Sequence, residues 1–370
     1  MGAVAYWMAR TMPGLAPDLK FAFFLPPNVE PPVTADNVEV VRVPSRFGRV
    51  VTEQIHLPRA AERSRLDLLH SMAYGPPALY DGLKVLTVHD LAYRILPRTV
   101  PWKYRLYWNW AYGPAARGCR KLIAVSESTR RDMIRLLGTK ADDVAVVPLA
   151  AEPGFRPAGE GEDPRKNLSV LNLPPRFILH VGTLQPRKDI ATLFKTFAQV
   201  HRQIADVHLV VCGTKGWGYD DPIAMVRDSG LEGSVHFLGY ATSETIQNLY
   251  RSAELLLFTS VYEGFGLPVL EAMASGLPVV ATASSSVPEV AGDAALFAPP
   301  GDAPGLARHC VDLLTDAGRH GIMKGRGLER SRLFSWERSA SRMIEIYRDL
   351  LGRARQGQLS ALNTVSGDNT

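Results

Sequence analysis

Short apolar runs alternate with longer amphipathic segments along most of the chain, and this alternation predicts an α/β architecture with parallel sheets. The later runs are rich in Val, Leu and Ile, as expected of strands buried on both faces. Strands are predicted at 20–25, 38–43, 66–70, 84–89, 121–126, 144–148, 177–181, 208–212, 235–238, 255–258, 279–282 and 295–297. Helices are predicted at 3–12, 127–137 (with Ser126 as N-cap), 190–204, 243–250, 268–274, 305–314 and 336–350.

A stretch rich in proline, glycine and acidic residues, beginning near residue 152, separates two such series and indicates an interdomain linker. A chain of 370 residues has room for two domains of ordinary size. The predicted organisation is a first domain at 1–155, a linker at 156–175, a second domain at 176–335, a closing helix at 336–351 and a disordered tail at 352–370.

Composition excludes several classes of protein. An apolar fraction of 46% and a charged fraction of 21% are typical of soluble globular chains, and a net charge of +5 does not argue for nucleic acid. Three cysteines, far apart and without metal-ligand spacing, favour a reducing compartment over a disulfide framework. Because we find neither a secretory pattern nor an apolar stretch of about 20 residues, we expect a cytosolic protein that can still contact a membrane surface.

The most informative segment is 260–279, Ser-Val-Tyr-Glu-Gly-Phe-Gly-Leu-Pro-Val-Leu-Glu-Ala-Met-Ala-Ser-Gly-Leu-Pro-Val. It predicts a strand end, a glycine loop, and a helix with Pro268 in its first turn and Gly276 just past its end. Gly264 and Gly266 allow close backbone approach to a ligand, and the helix N-terminus offers unpaired N–H groups. Glu263 and Glu271 can accept hydrogen bonds from hydroxyl pairs. Two glutamates eight residues apart also occur by chance, so the whole string is what favours a sugar diphosphate.

A second segment, 180–189, has the sequence His-Val-Gly-Thr-Leu-Gln-Pro-Arg-Lys-Asp. It ends the first strand of the second half, which is where open parallel sheets bind ligands. Gly182 permits close backbone approach, and Arg187 and Lys188 supply cations suited to a diphosphate. Taken alone, the basic pair is better explained as a solvated pair before a helix.

Together the two segments resemble the retaining glycosyltransferases of family 4. Glu263 and Glu271 match the family's E-x7-E signature, and 182–189 matches its G-T-x-x-P-R-K-N element, with Asp189 in place of Asn. Thr183 stands where some members carry a further arginine. Segments 235–240, 284–295 and 334–337 resemble later elements of the family. The resemblance implies a GT-B fold, in which an N-terminal acceptor domain and a C-terminal donor domain, both Rossmann-like, face across a cleft.

The resemblance also implies roles for individual residues. Glu263 is expected to bind hydroxyls of the donor sugar, and Glu271 the ribose. The predicted donor-binding set is Gly182, Thr183, Arg187, Lys188, Gly213, Gly264, Phe265, Gly266, Leu267 and Glu271, with Glu263 and His89 as catalytic candidates. His89 ends a strand of the first half, where the family places a functional histidine; a structural histidine is the alternative. Asp90 is expected to orient the His89 ring or to bind acceptor.

The chain contains no Asp-x-Asp motif, so the phosphate charge is expected to be met by Arg187, Lys188 and helix N-termini, without a metal or another cofactor. The resemblance implies retention of the anomeric configuration. GDP-mannose is the first expected donor and a UDP-sugar the second, with a glycan or lipid-linked acceptor. A nucleotide-sugar epimerase of the same fold and a non-catalytic sugar-nucleotide binder are the alternatives. A NAD-dependent dehydrogenase would need a G-x-G-x-x-G unit after a strand, and we find none.

Two further segments leave alternatives open. Segment 102–112 mixes aromatic and basic residues, which is typical either of an interfacial helix near an anionic membrane or of an aromatic face that covers a sheet. At the other end, the family normally opens with a strand and a glycine-rich loop, whereas Met1 and Gly2 lead directly into a helical pattern. A central parallel strand is costly to lose, so we hypothesise that the true start lies upstream.

Overall fold

The computed structural model describes residues 2–44, 48–73, 75–218 and 221–367, with side chains as far as residue 356. The strands in these ranges are β1 (Phe21–Leu25), β2 (Val38–Arg42), β3 (Leu69–Ser71), β4 (Lys84–Val88), β5 (Lys121–Ala124), β6 (Val144–Val146), β7 (Phe177–Val181), β8 (His208–Cys212), β9 (Val235–Gly239), β10 (Leu255–Phe258), β11 (Val279–Thr282) and β12 (Ala295–Ala298). The helices are α1 (Gly2–Leu15), α2 (Arg49–Val51), α3 (Leu57–Arg63), α4 (Ala92–Ile95), α5 (Trp102–Ala111), α6 (Pro114–Arg117), α7 (Glu127–Leu137), α8 (Pro164–Asn167), α9 (Ile190–His201), α10 (Pro222–Asp228), α11 (Ser243–Ser252), α12 (Leu267–Ala274), α13 (Val287–Ala291), α14 (Ala303–Thr315), α15 (Ala317–Ser331) and α16 (Trp336–Gly367).

Two parallel sheets dominate the fold and confirm the predicted pair of Rossmann-like domains. The second half forms a six-stranded sheet in the order β12-β11-β10-β7-β8-β9, and the first half a four-stranded sheet in the order β3-β4-β5-β6. All strand pairs in both sheets are parallel. Because β7 and β10 are neighbours in the middle of the larger sheet, the loops that follow them open side by side.

Burial on both faces explains why the central strands are apolar throughout. Every residue of β4, β7, β10 and β11 is buried. Alternate residues of β7 enter different clusters: Phe177 and Leu179 join one core, and Ile178 joins the other. The sequence pattern therefore locates these strands to within a residue or two of their observed bounds.

The first two strands stand apart from both larger sheets. β1 and β2 pair with each other in parallel over five residue pairs, and neither pairs with a further strand within the described ranges. All five residues of β1 are only partly buried, unlike those of β4.

The chain after residue 335 differs from the prediction of a short closing helix and a disordered tail. Helix α16 continues to Gly367, so the predicted tail is helical over 352–367, and 368–370 lie outside the described residues. The segment after Gly352 contains no proline and is rich in Arg, Gln, Leu and Ala, which are good helix formers. Helix α16 packs against α1, and its Ser339 hydroxyl donates to the Pro148 carbonyl at 2.6 Å.

The predicted linker is more ordered than its composition suggests. It contains α8, whose Asp163 N-cap accepts hydrogen bonds from the amides of Arg165 and Lys166. Arg165 donates in turn to the Ser252 carbonyl at 2.9 Å, and Arg251 to the Arg156 carbonyl at 3.0 Å. Two arginines thus tie this segment to the end of α11. Among the described residues, no helix combines the length and the apolar character that crossing a bilayer requires.

Candidate functional site

The candidate site lies where the loops after β7, β8 and β10 meet at the carboxyl edge of the larger sheet, the usual place for a ligand in such sheets. The loop after β7 carries Gly182, and the loop after β8 begins at Gly213. The Gly182 amide donates to the Cys212 carbonyl at 2.9 Å. A Cβ atom on Gly213 would stand 2.0 Å from the Gly182 carbonyl oxygen, so only glycine fits at this contact. Thr183 follows in the same loop and is half-buried.

Three charged side chains from two of these loops form a closed ionic cluster. One carboxylate oxygen of Glu263 lies 2.6 Å from the Lys188 ammonium, and the other lies 2.6 Å from the Arg187 guanidinium. The Ser260 hydroxyl also donates to Glu263 at 2.5 Å. Arg187 and Lys188 sit in a short 3₁₀ turn, Pro186–Lys188, which directly follows the β7 loop. The structure therefore brings together the two segments that the sequence pointed to separately.

Burial and charge act in opposite directions on this cluster. Burial alone would raise the pKa of the Glu263 carboxyl, but Lys188, Arg187 and the Ser260 hydrogen bond outweigh it and lower the pKa to about 2. Burial lowers the pKa of the Lys188 ammonium, and the Glu263 carboxylate opposes that effect. The Lys188 ammonium also lies 4.7 Å from the centre of the Phe258 ring, a cation–π distance. Glu263 is consequently ionised at neutral pH, with both oxygens engaged.

Hydrogen bonds from neighbouring strand ends hold the cluster in place. The Thr259 hydroxyl donates to the Lys188 carbonyl at 2.8 Å, and the Val261 amide donates to the Arg187 carbonyl at 2.8 Å. On the other side, the Glu263 amide donates to the Ser285 hydroxyl at 2.7 Å, and Ser286 donates to the Glu263 carbonyl at 3.0 Å. Ser285 has a φ of +46°, a left-handed conformation that is unusual outside glycine. Sequence reasoning missed these hydroxyls, although Ser260 and 284–286 lie in segments already singled out.

Helix α12 continues the glutamate loop. Gly266 has a φ of +93° at its N-cap, and Gly276 follows its end with a φ of +74°, as predicted from the sequence. The Phe265 side chain is buried against Phe334, with ring centroids 5.8 Å apart, so Phe265 can reach a ligand only through its backbone. Leu267, the first residue of α12, packs partly buried against the same core.

Glu271, one turn further along α12, differs electrostatically from Glu263. The Tyr250 hydroxyl lies 3.1 Å from the Glu271 carboxyl and 3.2 Å from the Pro268 carbonyl. Burial raises the pKa of Glu271 to about 7, and the nearby charge of Glu152 adds to this effect. A tyrosine hydroxyl has one proton for these two acceptors, so a protonated Glu271 completes the network by donating to the tyrosine oxygen.

His89 directly follows β4, at the carboxyl edge of the smaller sheet, and is half-buried. Its Nε2 atom lies 2.8 Å from the Met72 carbonyl oxygen. A carbonyl can only accept, so Nε2 carries the proton and Nδ1 is left as the acceptor nitrogen. Burial lowers the pKa of His89, with the Met72 bond opposing, which keeps the ring neutral at pH 7. The hydrogen bond that orients the His89 ring is thus made to the Met72 carbonyl. Asp90 was expected to orient the ring, but its carboxylate accepts from the Ala92 amide at 3.0 Å.

Contacts from the first domain complete the site, and sequence reasoning missed them. The Gly264 carbonyl accepts hydrogen bonds from the hydroxyls of Ser126, at 2.6 Å, and Thr129, at 3.0 Å. Ser126, predicted only as the N-cap of α7, also accepts from the Thr129 amide at 3.0 Å. A Cβ on Gly264 would stand 1.7 Å from the His89 carbonyl oxygen. The backbone of the opposite domain thus requires glycine at position 264. The sequence had suggested a different reason for this glycine, the close approach of a ligand.

Clusters of three or more His, Cys, Asp or Glu side chains that could hold a metal ion do not occur in the described part of the chain. Arg187 and Lys188 give the site positive charge. Lys188 is 4% exposed and Glu263 is 7% exposed, so their attraction is only weakly screened by solvent.

Two family models and several known proteins match the sequence. The family model described as "Glycosyl transferases group 1" matches residues 163–329, and the model described as "Glycosyltransferase Family 4" matches residues 16–153. The O-antigen chain mannosyltransferase B of Escherichia coli is 32% identical over 269 residues, which cover 71% of this chain and 70% of that protein. The serotype-specific mannosyltransferase WbdA of Escherichia coli is 26% identical over 249 residues, which cover 66% of this chain but only 31% of WbdA.

Solved structures show the same fold. Anabaena Alr3699/HepE, crystallised in complex with UDP and glucose, superposes with a TM-score of 0.67 at 20% identity, over 84% of this chain and 86% of that one. At this identity the likeness establishes the fold alone. With both family models matched and a relative above 30% identity, the chain belongs to glycosyltransferase family 4 and has the GT-B fold.

Proposed function

We propose that the protein is a retaining glycosyltransferase that transfers a hexose from a nucleotide diphosphate sugar to a glycan or lipid-linked acceptor. The observation that carries the proposal is the buried cluster of Glu263, Arg187 and Lys188 at the carboxyl edge of the donor sheet. Two cations held beside a glycine-lined loop suit a diphosphate, and the carboxylate between them suits sugar hydroxyls.

GDP-mannose is the donor we propose first, with a UDP-sugar second. Support for mannose comes from the similarity to the O-antigen chain mannosyltransferase B. Without a ligand, Glu263 is the ion-pair partner of both cations and offsets one of their two positive charges, so an incoming diphosphate must share or replace the carboxylate as their partner. That exchange would free the oxygens of Glu263 for the hydroxyls of the transferred sugar.

In the proposed mechanism, the chain's own groups bind and orient rather than attack. Glu263 is held by two cations and a hydroxyl, a poor arrangement for a nucleophile, so it serves as a hydroxyl acceptor. Neutral His89 presents Nδ1 as an acceptor for a second sugar hydroxyl. Arg187 and Lys188 stabilise the charge that develops on the departing diphosphate, which stays on the face that the acceptor approaches. Retention of the anomeric configuration follows from this same-face arrangement.

We also propose that catalysis needs no divalent metal, because Arg187 and Lys188 can supply the charge that a metal would supply. The check is turnover after treatment with EDTA. Activity that persists supports the proposal, whereas activity that is abolished and then restored by magnesium contradicts it.

The experiment that tests the function is a calorimetric titration with GDP, UDP, GDP-mannose and UDP-glucose, followed by assignment of the product anomer by NMR. Lys188→Ala is the probing variant, and Lys195→Ala, an exposed lysine on α9, is the matched control. Losing one charge-assisted contact should weaken binding about 10- to 100-fold in Lys188→Ala. Lys195→Ala should bind as wild type does. Equal binding by all three proteins, or binding by none, would reject the assignment.

Contact with an anionic membrane on the cytosolic side is part of the proposal. The first turns of α5 expose Trp102, Tyr104 and Leu106 by 65%, 56% and 66%, while Ala111 and Tyr112 at its end are buried. The exposed apolar side chains support the membrane interpretation, and the buried end of the helix supports the interpretation as a packing face. Lys103 and Arg105, exposed between these apolar side chains, add positive charge. Co-sedimentation with anionic liposomes at low salt tests this; no binding, or equal binding after Trp102→Ser and Leu106→Ser, would contradict it.

A further inference from the structure

Tyr262 links the two strand ends that carry His89 and Glu263. Its side chain is 4% exposed and crosses from the glutamate loop to the first domain. There its hydroxyl donates to the Asp132 carboxylate at 3.0 Å and accepts from the Leu91 amide at 3.2 Å. Tyr262 immediately precedes Glu263, and Leu91 lies two residues after His89. A single hydroxyl therefore joins the loops of both candidate catalytic residues.

The first turns of α7 strengthen this link on either side of Tyr262. The hydroxyls of Ser126 and Thr129 donate to the Gly264 carbonyl, two residues beyond Tyr262. From α13 of the donor domain, Glu289 accepts hydrogen bonds from the amides of Glu127 and Ser128, at 2.8 and 3.0 Å. A carboxylate at a helix N-terminus is favourable because the amides there lack partners within the helix.

The surroundings of Tyr262 keep its hydroxyl protonated, so that it can donate a hydrogen bond. Burial raises the pKa of Tyr262 well above its ordinary value, and the nearby carboxylates of Asp132 and Asp90 raise it further. The phenol is thus protonated at any physiological pH. Asp132 in turn is fixed by Arg135, whose guanidinium lies 2.7 Å from its other carboxylate oxygen.

We propose that Tyr262 is a positioning residue, which sets the distance between His89 and Glu263 when the cleft is closed. The inference rests on the proposed function, since it assigns the effect to sugar transfer. Arg187 and Lys188 are paired with Glu263, and Arg187 donates to the Tyr262 backbone carbonyl at 3.3 Å, a bond that phenylalanine at this position would keep. Removing the hydroxyl should therefore impair the chemical step and leave nucleotide binding nearly intact.

The test compares Tyr262→Phe with wild type in two measurements: the dissociation constant for GDP, and the kcat and KM for turnover of GDP-mannose and UDP-glucose. Loss of two buried hydrogen bonds should lower kcat about 10- to 100-fold, with the GDP dissociation constant changed by less than about threefold. Tyr80→Phe is the matched control, because its buried hydroxyl donates to the Leu66 carbonyl at 3.4 Å, away from this link. It should keep the wild-type kcat.

Variants of Asp132 test the same hydrogen bond from its acceptor, in the opposite domain. Asp132→Ala should reproduce the loss of kcat, and Asp132→Asn, which keeps an oxygen that accepts from Tyr262, should recover most of it. These variants also decide the matter if Tyr262→Phe unfolds, as judged by thermal denaturation. A wild-type kcat in Tyr262→Phe or in Asp132→Ala overturns this inference but leaves the proposed function standing. A wild-type protein that binds neither GDP nor UDP and turns over neither sugar nucleotide overturns the proposed function, and the inference falls with it.

Discussion

The backbone of His89 lies directly against Gly264: a Cβ atom on that glycine would be 1.7 Å from the His89 carbonyl oxygen. This contact joins the carboxyl edges of the two sheets at the point where both carry a candidate catalytic residue. The hydroxyls of Ser126 and Thr129 hold the Gly264 carbonyl in the same place. The contact between the two domains thus depends on a position where any side chain is excluded.

Gly264→Ala should therefore keep the cleft from closing fully. A contact of 1.7 Å between a Cβ atom and a backbone oxygen cannot be relieved by a change of rotamer, so the two loops must separate. Because His89 and Glu263 then lie too far apart to act on one sugar, we expect kcat for sugar transfer to fall at least about 100-fold. Steady-state kinetics measure this. Gly321→Ala is the control: it adds a Cβ with no atom within 4 Å, in the exposed interior of α15. Near-normal kcat in Gly264→Ala would contradict the prediction.

Glu263→Gln separates binding from turnover. The amide keeps the shape of the carboxylate but removes the negative charge that is paired with Arg187 and Lys188. The diphosphate then meets two uncompensated cations, so we expect GDP to bind as tightly as to wild type or up to about tenfold more tightly. Turnover should fall about 100-fold or more, because a hydroxyl acceptor is lost in the transition state.

Calorimetry with GDP and steady-state kinetics measure the two effects of Glu263→Gln. The matched control is Glu345→Gln, which breaks an exposed ion pair with Arg342 and should change neither quantity. Markedly weaker GDP binding in Glu263→Gln would show that the carboxylate organises the cations for the ligand and does not compete for them.

The sequence predicted the elements of the donor domain well, for a physical reason. Strands such as β7 and β10 are buried on both faces, so their apolar runs begin and end where the strands do. Segments 180–189 and 260–271 each follow such a strand, and their strands turned out to be adjacent in the sheet. Because these two strands are adjacent, Arg187 and Lys188 lie close to Glu263. Their roles toward a donor stay predictions.

Contacts between the domains were not predictable, because they depend on how two separately patterned sheets meet. Ser126 carries the signal of an N-cap, and nothing in its neighbourhood points to Gly264, 138 residues away. Glu289 at the N-terminus of α7 is equally remote in sequence. The length of α16 was missed for another reason: polar composition after Gly352 was interpreted as disorder, whereas the same residues are good helix formers.

Tyr347→Phe should lower stability without touching the donor site. The Tyr347 hydroxyl of α16 hydrogen-bonds to Nδ1 of His70, whose Nε2 atom lies 2.8 Å from the Thr87 hydroxyl. Burial, aided by His89, lowers the pKa of His70 to about 3, so the ring stays neutral and depends on these partners. Leaving a buried nitrogen without its partner should cost about 1–3 kcal/mol in the free energy of unfolding. Denaturant titration measures this, with Tyr240→Phe, at an 81% exposed tyrosine, as the control. A loss of GDP affinity in Tyr347→Phe would contradict the purely structural role.

Glu271 should make the stability of the ligand-free protein depend on pH. Its pKa is raised from 4.5 to about 7 in the folded chain, so the folded state holds a proton there that the unfolded state has already released. The stabilisation is therefore complete below pH 4.5 and is lost as the pH rises through 7. Above that range Glu271 is a half-buried carboxylate beside Glu152, and the Tyr250 hydroxyl has one proton for two acceptors.

Glu271→Gln tests this, because the amide is neutral at every pH and can donate to the Tyr250 oxygen as the protonated acid does. Denaturant titrations between pH 5 and 8 should show a loss of about 1–2 kcal/mol in wild type that is absent from the variant, a figure reduced for the partial exposure of the side chain. Glu329→Gln, at an exposed position of α15, should retain the wild-type slope. Parallel curves for wild type and Glu271→Gln would mean that Glu271 is ionised in the folded protein across this range. The Tyr250 hydroxyl would then donate to the Glu271 carboxylate, and the Pro268 carbonyl would need a different hydrogen-bond donor.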